Sequence, residues 1–305
     1  MSLSRVQPRV LVLLSTYNGE RYLEEQLESL FNQKEVEVQV MVRDDGSIDK
    51  TIEILNKYKN KKLLQWYQGK NLGPARSFLD LISKAKEVDY YAFCDQDDVW
   101  DDYKLKIAID EIKKVGDNIP KLYCANYQLV DSNLNKLPDQ FHASTTKFSE
   151  ALVSSCCTGC TVVFNKKLLN ILKMYMPKIV VMHDDWTHKV CLAVGGKVIY
   201  DNNKVLMYRQ HGSNADGGVR SLKSKILGVF KRIKAGDCIR SRQIAEILNG
   251  YSEIMPNANI ELVMSIADYK KSLKNRLKIL ISRKIKTPYK ELNFGFYCAI
   301  FFGYY

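Results

Sequence analysis

The stretch VLVLLSTYNGERYLEEQLESLF, residues 10–31, changes its hydrophobic period part-way along. Val10 to Leu14 form an unbroken apolar run that reads as a strand, and Ser15-Thr16-Tyr17-Asn18-Gly19 ends it. Leu23, Leu27, Leu30 and Phe31 then recur at helical spacing, so the segment predicts strand, loop and helix. The unit repeats: Val36, Val38, Val40 and Val42 alternate, Asp44-Asp45-Gly46-Ser47 breaks the pattern, and Ile52, Leu55 and Tyr58 resume it at helical spacing. Leu63 to Tyr67 reads as a third, short strand, Asn71-Leu72-Gly73-Pro74 as a turn, and Phe78, Leu79 and Ile82 as a helix. A fourth strand, Tyr90-Tyr91-Ala92-Phe93-Cys94, runs straight into Asp95, Asp97 and Asp98. Such alternation predicts an α/β domain with a mostly parallel central sheet, helices on both faces, and one crevice at the carboxyl ends of the strands.

Further along, Leu122 to Val130, Thr161 to Phe164, Val198 to Tyr200 and Val205 to Tyr208 read as strands, with Lys166 to Met174 and Asp185 to Ala193 as helices. At 305 residues the chain is long enough for one large domain or a domain with an appendage. No run of about 18 apolar residues occurs and the opening MSLSRVQPRV lacks the apolar core of a secretory signal, so a cytosolic protein without a spanning helix is expected. Most of the eight cysteines, Cys94, Cys124, Cys191 and Cys298 among them, sit in apolar runs where reduced cysteine packs as a small hydrophobe. Cys156, Cys157 and Cys160 cluster, but no second Cys or His pair stands at zinc-finger spacing.

Charge is unevenly spread. Residues 220–305 hold 17 Lys and Arg against 6 Asp and Glu, while residues 1–219 hold 29 against 28, so almost all of the net +12 belongs to the last quarter. The expected division is a first unit over 1–219, with halves over about 1–100 and 101–219, followed by a basic helical extension over 220–305 that faces something anionic.

Every polar cluster of the first half lies on the expected crevice. The acids Asp95, Asp97 and Asp98 offer hard oxygens of the kind that hold Mg²⁺ or Mn²⁺ against a phosphate. Ser15, Thr16 and Tyr17 stand with backbone N–H groups before a helix, where a diphosphate or nucleoside can bind. Asp44 can accept the imino proton of a uracil or thymine ring, and Arg76 can neutralise phosphate or stack on a base. His183-Asp184-Asp185-Trp186 opens a helix with a carboxylate suited to deprotonating an acceptor hydroxyl. His211, in the polar loop Arg209-Gln210-His211-Gly212-Ser213-Asn214, can complete a metal site.

Taken in order, STYNGE, RDDGSID, DQDD, HDDW and RQHGSN resemble the motifs of family 2 glycosyltransferases of the GT-A fold, over about residues 10–214. The resemblance implies that Ser15, Thr16, Tyr17, Glu20, Asp44, Asn71, Arg76, Asp95 and Gln96 hold a nucleotide-diphospho-sugar. It implies Asp97 and His211 as ligands of Mg²⁺ or Mn²⁺, Asp184 as the base of an inverting transfer, and Asp98 and Asp185 as possible additional site residues. FCDQDDVW and RQHGSN are most similar to bacterial rhamnosyltransferases that build cell-surface polysaccharide (O-antigen, capsule or rhamnan) from dTDP-L-rhamnose. A UDP-hexose such as UDP-glucose or UDP-galactose is the alternative donor. Asp185 stands where a bulky aromatic is expected, which bears on the acceptor pocket and on the choice of base.

In the extension, Lys270, Lys271, Lys274 and Lys278 share one side of a helical pattern whose other side carries Leu273, Leu277, Leu280 and Ile281, and an aromatic end, Phe294 to Tyr305, follows. This predicts peripheral docking on the anionic inner face of the plasma membrane, near a lipid-linked saccharide acceptor; the competing expectation is a helical unit packed on the core with a solvated basic face. No nucleic-acid-binding motif accompanies the charge. Two rivals are a phosphatase of the haloacid dehalogenase type, which places its D-x-D on the first strand of its domain, and a non-catalytic nucleotide-sugar-binding subunit.

Overall fold

The computed structural model describes residues 7–116, 118–211 and 238–305. The elements in chain order are β1 (Arg9–Thr16), α1 (Leu23–Phe31), β2 (Glu37–Asp44), α2 (Thr51–Asn60), β3 (Gln65–Gln68), α3 (Pro74–Lys84), β4 (Tyr90–Cys94), β5 (Val99–Trp100) and α4 (Lys104–Lys114). There follow β6 (Lys121–Val130), α5 (Phe148–Ala151), a 3₁₀ turn at Gly159–Thr161, β7 (Val163–Asn165), α6 (Lys166–Met174), α7 (His183–Ala193) and β8 (Lys197–Arg209). The C-terminal helices are α8 (Ile239–Tyr251), α9 (Asn257–Ala267), α10 (Leu273–Ser282) and α11 (Lys290–Phe302).

One mixed sheet runs in the order β3-β2-β1-β4-β7-β6-β8-β5. The first four strands are parallel neighbours, β7 reverses direction between β4 and β6, and β8 lies parallel to β6. The apolar run of β1 is divided by its own alternation: Leu11 and Leu13 point into one core, Val10, Val12 and Leu14 into the other. Burial on both faces explains why this strand is uniformly apolar, each side chain contributing roughly 1.5–3 kcal/mol.

The strands expected at Val198–Tyr200 and Val205–Tyr208 are a single strand, β8. The polar Asp201-Asn202-Asn203 interrupts the apolar pattern between them, but pairing with β6 shifts register at Ala125/Asn126 and again at Asn126/Gln128, which carries the strand through. Thr161 belongs to the 3₁₀ turn, so β7 starts later than its apolar pattern suggests.

The chain turns away in opposite directions from β1 to β2 and from β1 to β4, which leaves a crevice at their carboxyl ends. The C-terminal helices share the core of the sheet: Ile244, Tyr251, Ile266, Phe296 and Ile300 belong to the same buried cluster as Phe78 and Trp186. Polar contacts reinforce the packing, with Tyr175 Oη donating to Glu246 at 2.6 Å and Asn259 Nδ2 to the carbonyls of Leu192 and Ala193 at 3.1 and 2.9 Å. The expected boundary at 219/220, and residues 212–214 of the RQHGSN loop, lie outside the described residues.

Candidate active site

At the head of the crevice Gln96 ties the ends of β1 and β4 together. Its Oε1 accepts from Thr16 Oγ1 at 2.6 Å and from the Tyr17 N–H at 2.8 Å, and its Nε2 donates to the Tyr17 carbonyl at 3.2 Å. These bonds fix the floor of a cavity of about 610 Å³ lined by Ser15, Tyr17, Asn71, Asp95, Gln96, Asp97 and Asp184, all of them expected at the site. The volume accommodates a drug-sized or nucleotide-sized ligand.

Four expected residues are turned elsewhere. Thr16 is buried and its hydroxyl is used on Gln96. Glu20, exposed, accepts from the Lys50 N–H at 3.0 Å. Asp44 is fully buried and closes its own turn, accepting from the N–H groups of Gly46 and Ser47 at 3.1 and 3.0 Å and from Gln68 Nε2 at 3.0 Å. Gly46, at φ +90°, supplies the left-handed backbone this turn needs. Arg76, exposed, donates to the Lys178 carbonyl at 2.7 Å.

The neighbouring acid, Asp45, reaches the cavity in place of Asp44. It is ion-paired with buried Arg43 and accepts from the N–H groups of Leu72 and Gly73 at 3.0 and 2.9 Å, which holds the turn after β3 against β2. In a sequence that reads Asp44-Asp45, which carboxylate faces outward depends on the twist of the strand end, and the motif alone does not say.

Of the three acids after β4, Asp95 and Asp97 face the cavity and Asp98 points inward. Burial, then the charge of Asp97, pushes the pKa of both Asp95 and Asp98 upward. Beneath them lies Lys104, fully buried, its ammonium over the Trp100 ring and without a hydrogen-bond acceptor among the described residues; burial pulls its pKa down to about 7. Asp97 Oδ2 lies 2.8 Å from His211 Nε2, and the imidazole is stacked on Tyr22 at 5.0 Å between centroids. Arg209, almost fully buried, braces this corner: its backbone N–H donates to Asp98 at 3.1 Å, Nε to the Asp97 carbonyl at 2.8 Å, and its guanidinium pairs with Glu25 on α1. Sequence reasoning gave Arg209 no role, since an arginine ending a strand carries no mark of burial. A carboxylate and an imidazole brought together beside Asp95 fit Mg²⁺ or Mn²⁺, with the nitrogen favouring Mn²⁺.

The opposite wall is the first turn of α7. Asp184 is held by backbone N–H groups of Asp185, at 2.7 Å, and of Gly159, yet burial and the adjacent Asp185 raise its pKa to about 7. Asp185 is drawn away to Lys189, one turn on, and to Gln243 Nε2 at 2.6 Å, so its pKa is lowered. The two acids therefore have different environments: Asp184 faces the large cavity, and Asp185 is neutralised behind it. His183 packs flat on Phe78 at 3.7 Å between centroids, lines the same cavity, and has no hydrogen-bond partner on either nitrogen among the described residues.

The family model described as glycosyl transferase family 2 matches residues 11–172, over half of the chain. The chain belongs to that family. It is 29% identical to a dTDP-rhamnosyl transferase, RfbG, of Shigella flexneri over 233 residues, which cover 72% of this chain and 78% of the relative. Among solved structures, S. aureus TarS 1-349 in complex with UDP superposes with a TM-score of 0.55 at 18% identity, covering 96% of this chain and 90% of that one. A mannosyltransferase from Pyrobaculum calidifontis in complex with GDP-Man and Mn²⁺ gives 0.53 at 15% identity, covering 98% and 86%. The chain shares the GT-A fold with these two structures, and the family 2 motifs lie around the crevice that the fold creates.

Proposed function

We propose that the protein is an inverting, metal-dependent glycosyltransferase that moves L-rhamnose from dTDP-L-rhamnose onto a lipid-linked, cell-surface polysaccharide acceptor. The observation that carries this reading is the placing of Asp97, paired with His211, and of Asp184 on the walls of one cavity. The rhamnose assignment rests on the likeness to the Shigella flexneri enzyme. In this reading the donor lies along Ser15, Tyr17, Asp45, Asn71 and Asp95, while Gln96 and the Asp44 turn shape the loops beneath it. Asp184 takes the proton of the acceptor hydroxyl as that oxygen attacks the anomeric carbon. The bond from that carbon to the diphosphate breaks on the opposite face, the nucleoside diphosphate leaves, and the configuration inverts. Asp97 and His211 would hold a divalent cation, which would neutralise charge on the departing diphosphate.

The test is a panel of dTDP-rhamnose, UDP-glucose, UDP-galactose, UDP-N-acetylglucosamine and GDP-mannose, each with Mn²⁺ or with chelator, read by thermal shift and by transfer to a lipid-linked acceptor. Metal-dependent stabilisation and transfer with dTDP-rhamnose are expected. Selective response to a UDP-sugar overturns the donor, and no response to any sugar overturns the enzyme reading.

The proposed docking face is supported by an unusual pairing of exposures. Leu273 is 73%, Leu277 49% and Ile281 77% exposed on α10, with Phe294 73% exposed on α11, and Lys270, Lys271, Lys274 and Lys278 stand exposed around them. Apolar side chains ringed by lysine match an anionic lipid surface. Among the described residues no helix is long and apolar enough to cross a membrane. Replacing Leu273, Leu277 and Ile281 together by Glu should abolish co-sedimentation with phosphatidylglycerol vesicles while sparing donor binding; undiminished sedimentation rejects the docking face.

A further inference from the structure

The sequence shows Cys156 and Cys157 without partners at metal-binding spacing, but the fold supplies partners from far along the chain. Cys124 projects from β6, and the segment between α5 and the 3₁₀ turn brings Cys156 and Cys157 onto it. The sulfurs lie 3.7 Å apart for Cys124 and Cys156, 3.9 Å for Cys156 and Cys157, and 3.1 Å for Cys124 and Cys157. His188, fully buried on α7, places Nε2 3.7 Å from Cys156 Sγ. Cys160, the third member of the sequence cluster, goes elsewhere, beside Asp95 and Asp98.

We propose that Cys124, Cys156 and Cys157 form a binding site for a thiophilic cation of the Zn²⁺ class, distinct from the Asp97–His211 pair. Three sulfurs about 2.3 Å from one tetrahedral ion lie about 3.8 Å from each other, so two of the three edges are already at that length. The third has to open by about 0.7 Å, within reach of a small rotation of the Cys157 side chain. Three sulfurs select soft or borderline ions over Mg²⁺ and Mn²⁺, which suit the proposed Asp97–His211 pair better.

His188 flanks the cluster beside Cys156 without belonging to the three-sulfur group. Its Nδ1 lies 3.0 Å from Ser155 Oγ, and its Nε2 now lies 2.9 Å from the Thr145 carbonyl. Because Nε2 faces that carbonyl, His188 serves as a fourth ligand only if its ring turns away from Thr145, with Nδ1 then donating to Ser155; otherwise water completes the set. Protons displaced from the thiols on binding pass to solvent. Entry is available because Cys157 lines both the large cavity and a smaller one beside Lys189 and Gln243.

The site would act at a distance on the transfer chemistry. Cys157 is two residues before Gly159, whose N–H donates to Asp184, and a Cβ on Gly159 would lie 2.7 Å from His183 Nε2. A cation pinning Cys156 and Cys157 to β6 thus holds the wall that carries this donor. That consequence rests on Asp184 being the base, whereas cation binding does not.

The test uses the full chain, stripped with chelator under a phosphine reductant and titrated with Co²⁺. Sulfur-to-metal charge-transfer absorption that saturates near one equivalent and is displaced by Zn²⁺ is expected, and Asp97→Ala should retain it. Cys124→Ser and the double variant Cys156→Ser/Cys157→Ser should lose it. Because a buried Cys→Ser change can unfold the chain, the wild-type protein is also alkylated with and without Zn²⁺ and mapped by mass spectrometry; Zn²⁺ should protect Cys124, Cys156 and Cys157 together. Absence of the charge-transfer band in the wild-type protein, its survival in folded cysteine variants, or labelling unaffected by Zn²⁺ overturns the proposal.

Discussion

Asp184 combines two properties that oppose each other. Its pKa of about 7 lies above the usual value near 4, so the folded protein holds this proton more tightly than the unfolded chain. Stability from the protonated carboxyl is therefore fully present below about pH 4 and is lost as pH rises through about 7. Asp184→Asn, neutral at every pH, should be more stable than the wild type at pH 8 by on the order of 2–4 kcal/mol and indistinguishable from it near pH 4 in urea unfolding. The same substitution should retain donor binding and lose transfer by at least about a hundredfold, as loss of a general base does. In the wild-type enzyme the transfer rate should fall as pH drops through about 7, since the base must be unprotonated. A rate independent of pH between 5.5 and 8.5, or near-normal turnover by the Asn variant, rejects Asp184 as base. The HDDW motif contains two carboxylates, distinguished by Asp184 lining the large cavity and by the contacts of Asp185 with Lys189 and Gln243.

At the scale of elements, the β2–β3 side of the crevice is organised around Arg43 at the end of β2. This buried guanidinium pairs with Asp45, reaches Asp80 on α3 at 3.0 Å, and donates to the Lys70 carbonyl at 2.9 Å. Tyr67 on β3 completes the group through a 2.8 Å bond to Asp80. Arg43→Met leaves Asp45 buried without its cation and should cost about 3–5 kcal/mol, read from the urea midpoint. Adding Asp45→Asn should recover part of that loss. Additive losses would show that the two residues are not coupled. The β1–β4 junction follows similar logic, with the single side chain Gln96 fixing both loop ends. The sequence announces such links only as polar residues after apolar runs, because partners about 80 positions apart leave no periodic signature.

At the scale of the molecule, the C-terminal helices are both a structural and a surface element. Phe296, Ile300 and Tyr305 are buried in the main core, and Tyr305 Oη donates to the Leu152 carbonyl, while Leu273, Ile281 and Phe294 face outward. Deleting residues 265–305 should therefore lower Tm by more than 10 °C or yield insoluble protein, since several large side chains would lose their cover. A truncated protein as stable as the full chain would mean that this packing contributes little. Both expectations for the extension draw on the same helices, because one face meets the core and the other carries the lysines. The sequence by itself determined the strand and helix alternation, the polar ends of the strands, the family motifs in their order and the charge imbalance, all of which are local patterns. Tertiary structure alone decided that Asp45 rather than Asp44 meets the cavity, that Asp184 and Asp185 differ, that Arg209 braces the acids, and that Cys124 and His188 join Cys156 and Cys157. Those outcomes depend on contacts between residues 30 to more than 180 positions apart, or on which way a strand end or helix turn faces, and neither is encoded in local periodicity.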